Sequence, residues 1–250
     1  MHALARHLNP LDFPAVHRAP VLRPAAPEPI FVPKLVCRPA HGQETFKIGI
    51  FAGLHGDEEA GTHAAYELVR WAWNDPEELH GYELHIYPVC NPTGRKAKTR
   101  HTQNGLDLNR EFWRGSDQPE IVYLERELRR ENYDGIISLH SDDTSDGLYG
   151  FVSGTVLSEH VLEPALREAG KLLPCNESSV IDGFHAEHGI IKEGYKGVLS
   201  APPDQRPSPL DIVFETPGLA PMAAQVQATV IAVKTILAEY LLLHSYAPNL

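Results

Sequence analysis

The sequence predicts an α/β protein: three α/β/α layers around a mixed, largely parallel central sheet. Three observations predict it. Short apolar runs, rich in β-branched and aromatic residues, alternate with longer amphipathic runs. The stretches between strands are long enough for crossover helices, which parallel neighbours need. Polar residues of chemical interest, His55, Asn91, His140 and Glu215, fall just past expected strand ends, where sites gather in such sheets.

The elements follow in order. Residues 1–33 are rich in proline and read as an N-terminal arm with short extended pieces, leaving 34–250 as a single domain. A strand is expected at 45–52, carrying Ile48, Ile50 and Phe51, with a helix at 59–73 behind a Gly-rich turn. Strands at 84–89 and 135–139 bracket a helix at 120–130, and a strand at 148–152 precedes a helix at 157–173. The last pair is a strand at 211–214 and a helix at 222–243, whose Val226, Val230, Val233, Ile236, Leu237 and Tyr240 form a buried stripe. Residues 185–209 read as a long loop of the kind that often carries function. No internal repeat or low-complexity segment interrupts this pattern.

Composition sets limits on partners. At 42% hydrophobic over 250 residues, the chain can bury a full core. A net charge of −11 disfavours a nucleic-acid partner, whose binding rests on phosphate neutralisation. No stretch approaches the ~20 apolar residues that span a bilayer, and the N-terminus lacks the apolar core of a secretory signal. Cys37, Cys90 and Cys175 are an odd, scattered set rather than a disulfide framework, which points to a reducing compartment. The expectation is a soluble cytoplasmic protein.

His55 and Glu58 stand three residues apart in a Gly-rich turn at the end of an apolar strand, and His140 ends another such strand. Zinc takes nitrogen and oxygen ligands, and three protein ligands with an open fourth position bring the pKa of a bound water to about 7. Alone, the His-x-x-Glu pair is weak. His55 could be a turn residue, and Glu58 a first-turn carboxylate favoured by the helix dipole.

Residues 91–112 change that balance. They contain Asn-Pro-x-Gly at 91–94, Arg100 nine residues before Asn109, and Gly-x-Asp-x-Asn-Arg-x-Phe at 105–112. With Leu139-His140-Ser141 and Glu215 in Val213-Phe214-Glu215, the set resembles the zinc carboxypeptidase family. Its murein-peptide amidase branch is similar in having His-Gly-Asp-Glu in the first motif. The resemblance implies one zinc ion on His55, Glu58 and His140, with Glu215 as general base and then acid. It implies that Arg100 polarises the scissile carbonyl, that Asn109 and Arg110 receive a substrate carboxylate, and that Asp107 orients His55 through its far nitrogen. Tyr195, between Gly194 and Gly197, lies where the family carries a mobile tyrosine. Asp142, Asp143 and Asp146 would place negative charge near a cationic substrate group, or simply form turns.

The related succinylglutamate desuccinylase and aspartoacylase branch shares His-Gly-x-Glu and Asp-Leu-Asn-Arg. It usually adds a β-rich domain after the catalytic glutamate, whereas this sequence ends 35 residues after Glu215 in one expected helix. Hydrolysis of a peptide or amide therefore ranks first and deacylation of an N-acyl amino acid second. The substrate is a small peptide or acylated amino acid in either case. A non-catalytic peptide- or metal-binding descendant ranks third, because ligands, base and arginines are all present.

Overall fold

The computed structural model describes residues 30–39 and 45–246. Residues 1–29 of the expected arm lie outside these. The chain forms β1 (Leu35–Cys37), β2 (Phe46–Ala52), α1 (Glu59–Asn74), β3 (Tyr82–Tyr87), α2 (Pro92–Ala97) and α3 (Pro119–Glu131). Then come β4 (Gly135–Asp142), β5 (Tyr149–Val152), and α4 (Thr155–Leu157), which runs through a π-helical turn into α5 (Glu163–Ala169). Three short strands, β6 (Val180–Ile181), β7 (Phe184–Glu187) and β8 (Ile190–Ile191), precede β9 (Leu210–Pro217) and α6 (Met222–Tyr246).

Among the described residues these strands form one nine-stranded sheet in the order β1-β3-β2-β4-β9-β5-β8-β7-β6. The centre is parallel: β2 pairs in parallel with β3 and β4, and β4 with β9. The flanks turn antiparallel, β1 against β3 on one side and β5 against β9 on the other. Period-two alternation divides the core. Ile48, Ile50, Ile137, Leu139, Ile212 and Phe214 pack toward α1, α5 and α6, while Phe51 and Ile136 pack toward Ile121, Leu124 and Leu128 of α3. This is the mixed, helix-flanked sheet the sequence predicts.

Four expectations need correction. Strands β4 and β9 run on to Asp142 and Pro217, so His140 and Glu215 sit inside strands rather than beyond them. Their polar side chains hid the continuation, because the pattern of apolar residues stops before them. The loop expected at 185–209 holds most of β7 and all of β8; such short strands have too few residues to show a period. The helix expected at 157–173 begins at Thr155 and ends at Ala169. Finally, α6 is long and apolar enough, by length and composition alone, to cross a membrane. Lys234 and Glu239 broke it up for the eye, and in the fold Ala228, Ala232, Val233, Ile236 and Leu237 are buried against the sheet side.

Candidate metal centre and cavity

Strand β2 ends at Ala52, and Gly53 turns the chain at a φ of +63° that side-chain-bearing residues rarely adopt. The next residues press against the first turn of α2. A Cβ on Gly56 would stand 2.0 Å from the Gly94 carbonyl carbon and 2.2 Å from the Arg95 nitrogen, both backbone atoms. Gly56→Ala is therefore expected to destabilise the fold by about 1–3 kcal/mol or more, since overpacking against backbone cannot be relieved by a rotamer change. Urea unfolding would read this; an unchanged midpoint would show that the turn yields easily.

The tight turn fixes His55 and delivers Glu58 to the N-cap position of α1. Glu58 does not cap the helix with its side chain. Its Oε1 lies 2.5 Å from His55 Nδ1, and its Oε2 lies 2.9 Å from His140 Nδ1 while accepting from the Ser141 N–H at 3.2 Å. The two Nδ1 atoms are 3.3 Å apart. All three side chains are largely withdrawn from solvent, and their donor atoms lie within 4.8 Å of one another.

This arrangement fits a divalent metal ion. Two nitrogens bonded to one tetrahedral zinc at 2.0–2.1 Å stand about 3.3 Å from each other. The outward nitrogens are already engaged: His55 Nε2 meets Asp107 Oδ1 at 3.0 Å, and His140 Nε2 meets the Ser138 hydroxyl at 2.9 Å. Those partners leave both Nδ1 atoms to face inward, as ligating histidines require. Burial holds His140 below the usual imidazole range, keeping its lone pair free. Burial works the same way on His55, but hydrogen bonds that the ring donates to the Asp107 and Glu58 carboxylates outweigh it and raise its proton affinity. Burial alone would raise Glu58; the His140 and His55 rings instead pull it below the ordinary carboxylate range.

A cavity of about 460 Å³ opens beside this cluster. Glu215 lines it from β9, in register with His140 on the neighbouring parallel strand. Burial, and then the nearby charges of Glu58, Asp142 and Asp182, push the Glu215 carboxyl well above its ordinary range. Arg100 lines the same cavity. Its Nε and Nη2 each lie 3.0 Å from Asp107 Oδ2, and its Nη1 is 3.7 Å from Glu58 Oε1. One carboxylate, Asp107, thus holds both His55 and Arg100, and also caps the Asn109 N–H at 2.9 Å.

Asn109 Oδ1 accepts from the Leu199 N–H at 2.8 Å. That bond fixes the amide's orientation, and among the described residues its Nδ2 has no protein acceptor. The Arg110 guanidinium stacks on the Tyr195 ring at 4.1 Å, and its Nη1 donates to the Asn109 carbonyl at 2.7 Å. Tyr195 is in turn held by its hydroxyl, which donates to the Asp182 backbone and side-chain oxygens at 2.9 and 3.0 Å. All nine residues singled out by sequence for this site converge here: seven line the cavity, with His140 and Asp107 bonded to lining residues. Asp142 and Asp143 also line the cavity, whereas Asp146 does not. Asp142 already accepts from Tyr149 and from Thr144.

Sequence reasoning missed Ser138 and Asp182. Ser138 lies two residues before His140 and therefore on the same strand face, a period-two signal that could have found it. Asp182 sits in a hairpin turn with a φ of +50°, and nothing local marks it as a partner of Tyr195.

Residues 44–179 match the family model described as the succinylglutamate desuccinylase/aspartoacylase catalytic domain. Among solved structures, a protein from Shewanella denitrificans assigned as a metallopeptidase superposes with a TM-score of 0.70 at 21% identity, covering 89% of this chain and 83% of its own. A metallo-carboxypeptidase from Pseudomonas aeruginosa, solved with (2-guanidinoethylmercapto)succinic acid, gives 0.64 at 16%, covering 84% and 61%. A succinylglutamate desuccinylase from Silicibacter sp. TM1040 gives 0.60 at 19%, covering 92% and 68%. At these identities the superpositions establish the fold. A curated relative, carboxypeptidase SOL1 of Arabidopsis thaliana, is 28% identical over 91 residues, which is 34% of this chain and only 18% of that protein.

Proposed function

The chain belongs to the succinylglutamate desuccinylase/aspartoacylase catalytic-domain family, and we propose that it is a zinc-dependent hydrolase of an amide or peptide bond beside a free carboxylate. One observation carries the reading: the His55–Glu58–His140 donor set opens onto a cavity that also receives Glu215, Arg100 and Arg110. His55, Glu58 and His140 would hold the ion, which when bound supplies a water acidic enough to lose a proton near neutral pH.

The rest is the work of the chain's own residues. Glu215 faces the cavity from a half-buried position on β9 and receives the water's proton on its carboxylate. It then hands that proton to the departing amine. Arg100, held flat against Asp107, turns Nη1 toward the metal cluster and offers a fixed cation to the oxygen that becomes negative. Arg110 and the free Nδ2 of Asn109 receive the substrate carboxylate, which a planar guanidinium suits better than an ammonium does. Tyr195 covers the guanidinium face and helps close the site. Cleavage of a small peptide is the first reading. The family match favours a second, N-acyl-amino-acid deacylation, which needs the same groups with the carboxylate anchored on the other side of the amide.

Metal analysis combined with a substrate panel tests this. Purified protein is expected to carry one zinc per chain and to hydrolyse C-terminal peptides, murein peptides or N-acyl amino acids. Chelation should abolish that turnover and zinc should restore it. Full activity in metal-free protein, or no hydrolysis across the panel by zinc-loaded protein, would overturn the reading.

A further inference from the structure

We propose that Asn91 is a positioning residue that holds the His55 turn and the Arg100 segment in register; the inference rests on the zinc reading above. Asn91 lies wholly buried between the end of β3 and the start of α2. Its amide makes four hydrogen bonds. Oδ1 accepts from the Gly94 N–H at 2.8 Å and from the Thr93 hydroxyl at 3.2 Å, capping α2. Nδ2 donates to the Leu54 carbonyl at 3.2 Å and to the Arg100 carbonyl at 3.3 Å.

Those two acceptors are what give the residue a role beyond the cap. Leu54 immediately precedes His55, and the second carbonyl belongs to Arg100 itself. Among the described residues neither oxygen has another protein donor. A single NH₂ group therefore links the backbone behind a metal-cluster histidine to the backbone of the oxyanion arginine. The backbone N–H of Asn91 adds a third tie to the same turn, donating to the Gly53 carbonyl at 2.7 Å. Asp107 joins His55 and Arg100 from the side-chain end. Asn91 joins them from the main-chain end, so the pair is gripped at both ends. Asn91 is not among the residues that line the cavity, and among the described residues its amide bonds only to these backbone segments and the α2 cap.

The cap and the tie can be separated by substitution. Serine caps a helix about as well as asparagine but is too short and has no NH₂ group to bridge the two carbonyls. Asn91→Ser therefore keeps the cap and removes the tie, whereas Asn91→Ala removes both. For Asn91→Ser, zinc affinity by chelator competition is expected to fall about 10–100-fold, as for other residues that orient ligands from behind. kcat should fall with it, while KM stays close to wild type. A second readout needs no metal: the imidazole ¹⁵N resonances of His55 in metal-free protein should move in Asn91→Ser and hold their wild-type positions in a remote surface variant. Should Asn91→Ser not fold, Asn91→Asp, which is isosteric and also caps, gives the same comparison.

If Asn91→Ser matches wild type in zinc affinity and His55 resonances, the proposal is wrong, and a defect confined to Asn91→Ala then marks Asn91 as a cap alone. A wild-type protein that takes up no zinc would sink the proposed function, and the His55 resonances would still decide the role of Asn91.

Discussion

Replacement of Glu215 by glutamine is expected to lower kcat by about 10²–10⁴-fold, the usual contribution of a positioned proton acceptor. KM and zinc affinity should stay near wild type. The reason is placement. Glu215 is in register with His140, and among the described residues no hydrogen bond joins it to His55, Glu58 or His140. The exchange keeps the side chain's size while removing its ability to hold a proton between water and amine. It also removes a carboxyl that is costly to keep charged, because burial and the charges of Glu58, Asp142 and Asp182 all oppose ionisation there. Glu215→Gln is therefore expected to be at least as stable as wild type while being far less active. Steady-state kinetics with thermal unfolding would show the split. Near-normal turnover in this variant would remove Glu215 from the proton's path.

Arg100→Ala should depress kcat by about 10²–10³-fold, since the loss of one fixed donor to a developing oxyanion typically costs that much. Arg110→Ala should instead raise KM for carboxylate-bearing substrates and leave kcat largely intact. The geometry separates the two. Arg100 reaches toward Glu58, whereas Arg110 stacks on Tyr195 and belongs to the 108–110 turn. Losing Arg100 also strips Asp107 of one of its two side-chain partners, so some loosening of His55 is expected in addition. Equal changes in kcat and KM for both variants would refute this division of labour.

The sequence made the sheet's centre legible because β2, β4 and β9 are nearly continuous apolar runs, the form a strand buried on both faces takes. The inhabitants of the site were legible for a different reason. His-x-x-Glu and the Asp-x-Asn-Arg segment place chemically demanding residues at fixed spacing, and these survive as words even where no period does. Ser138 and Asp182 escaped because a serine in a strand and an aspartate in a turn have ordinary uses. What distinguishes them is a partner far along the chain, and such pairings are set by tertiary packing alone. The fringe of β6, β7 and β8 escaped because two to four residues cannot show a period. The full length of β4 and β9 was obscured by the very polar residues that give the site its chemistry.

The stacking of Arg110 on Tyr195 limits how an anion can dock. One flat side of the guanidinium is shielded by the phenol ring, and Nη1 is spent on the Asn109 carbonyl. Among the described residues no acceptor engages Nε or Nη2, and the edge they form is a two-pronged contact that an incoming carboxylate can meet only by arriving coplanar with it. Ligands whose acid group is twisted out of that plane by bulk on the adjacent carbon should dock poorly, so this side chain selects by angle of approach as well as by charge.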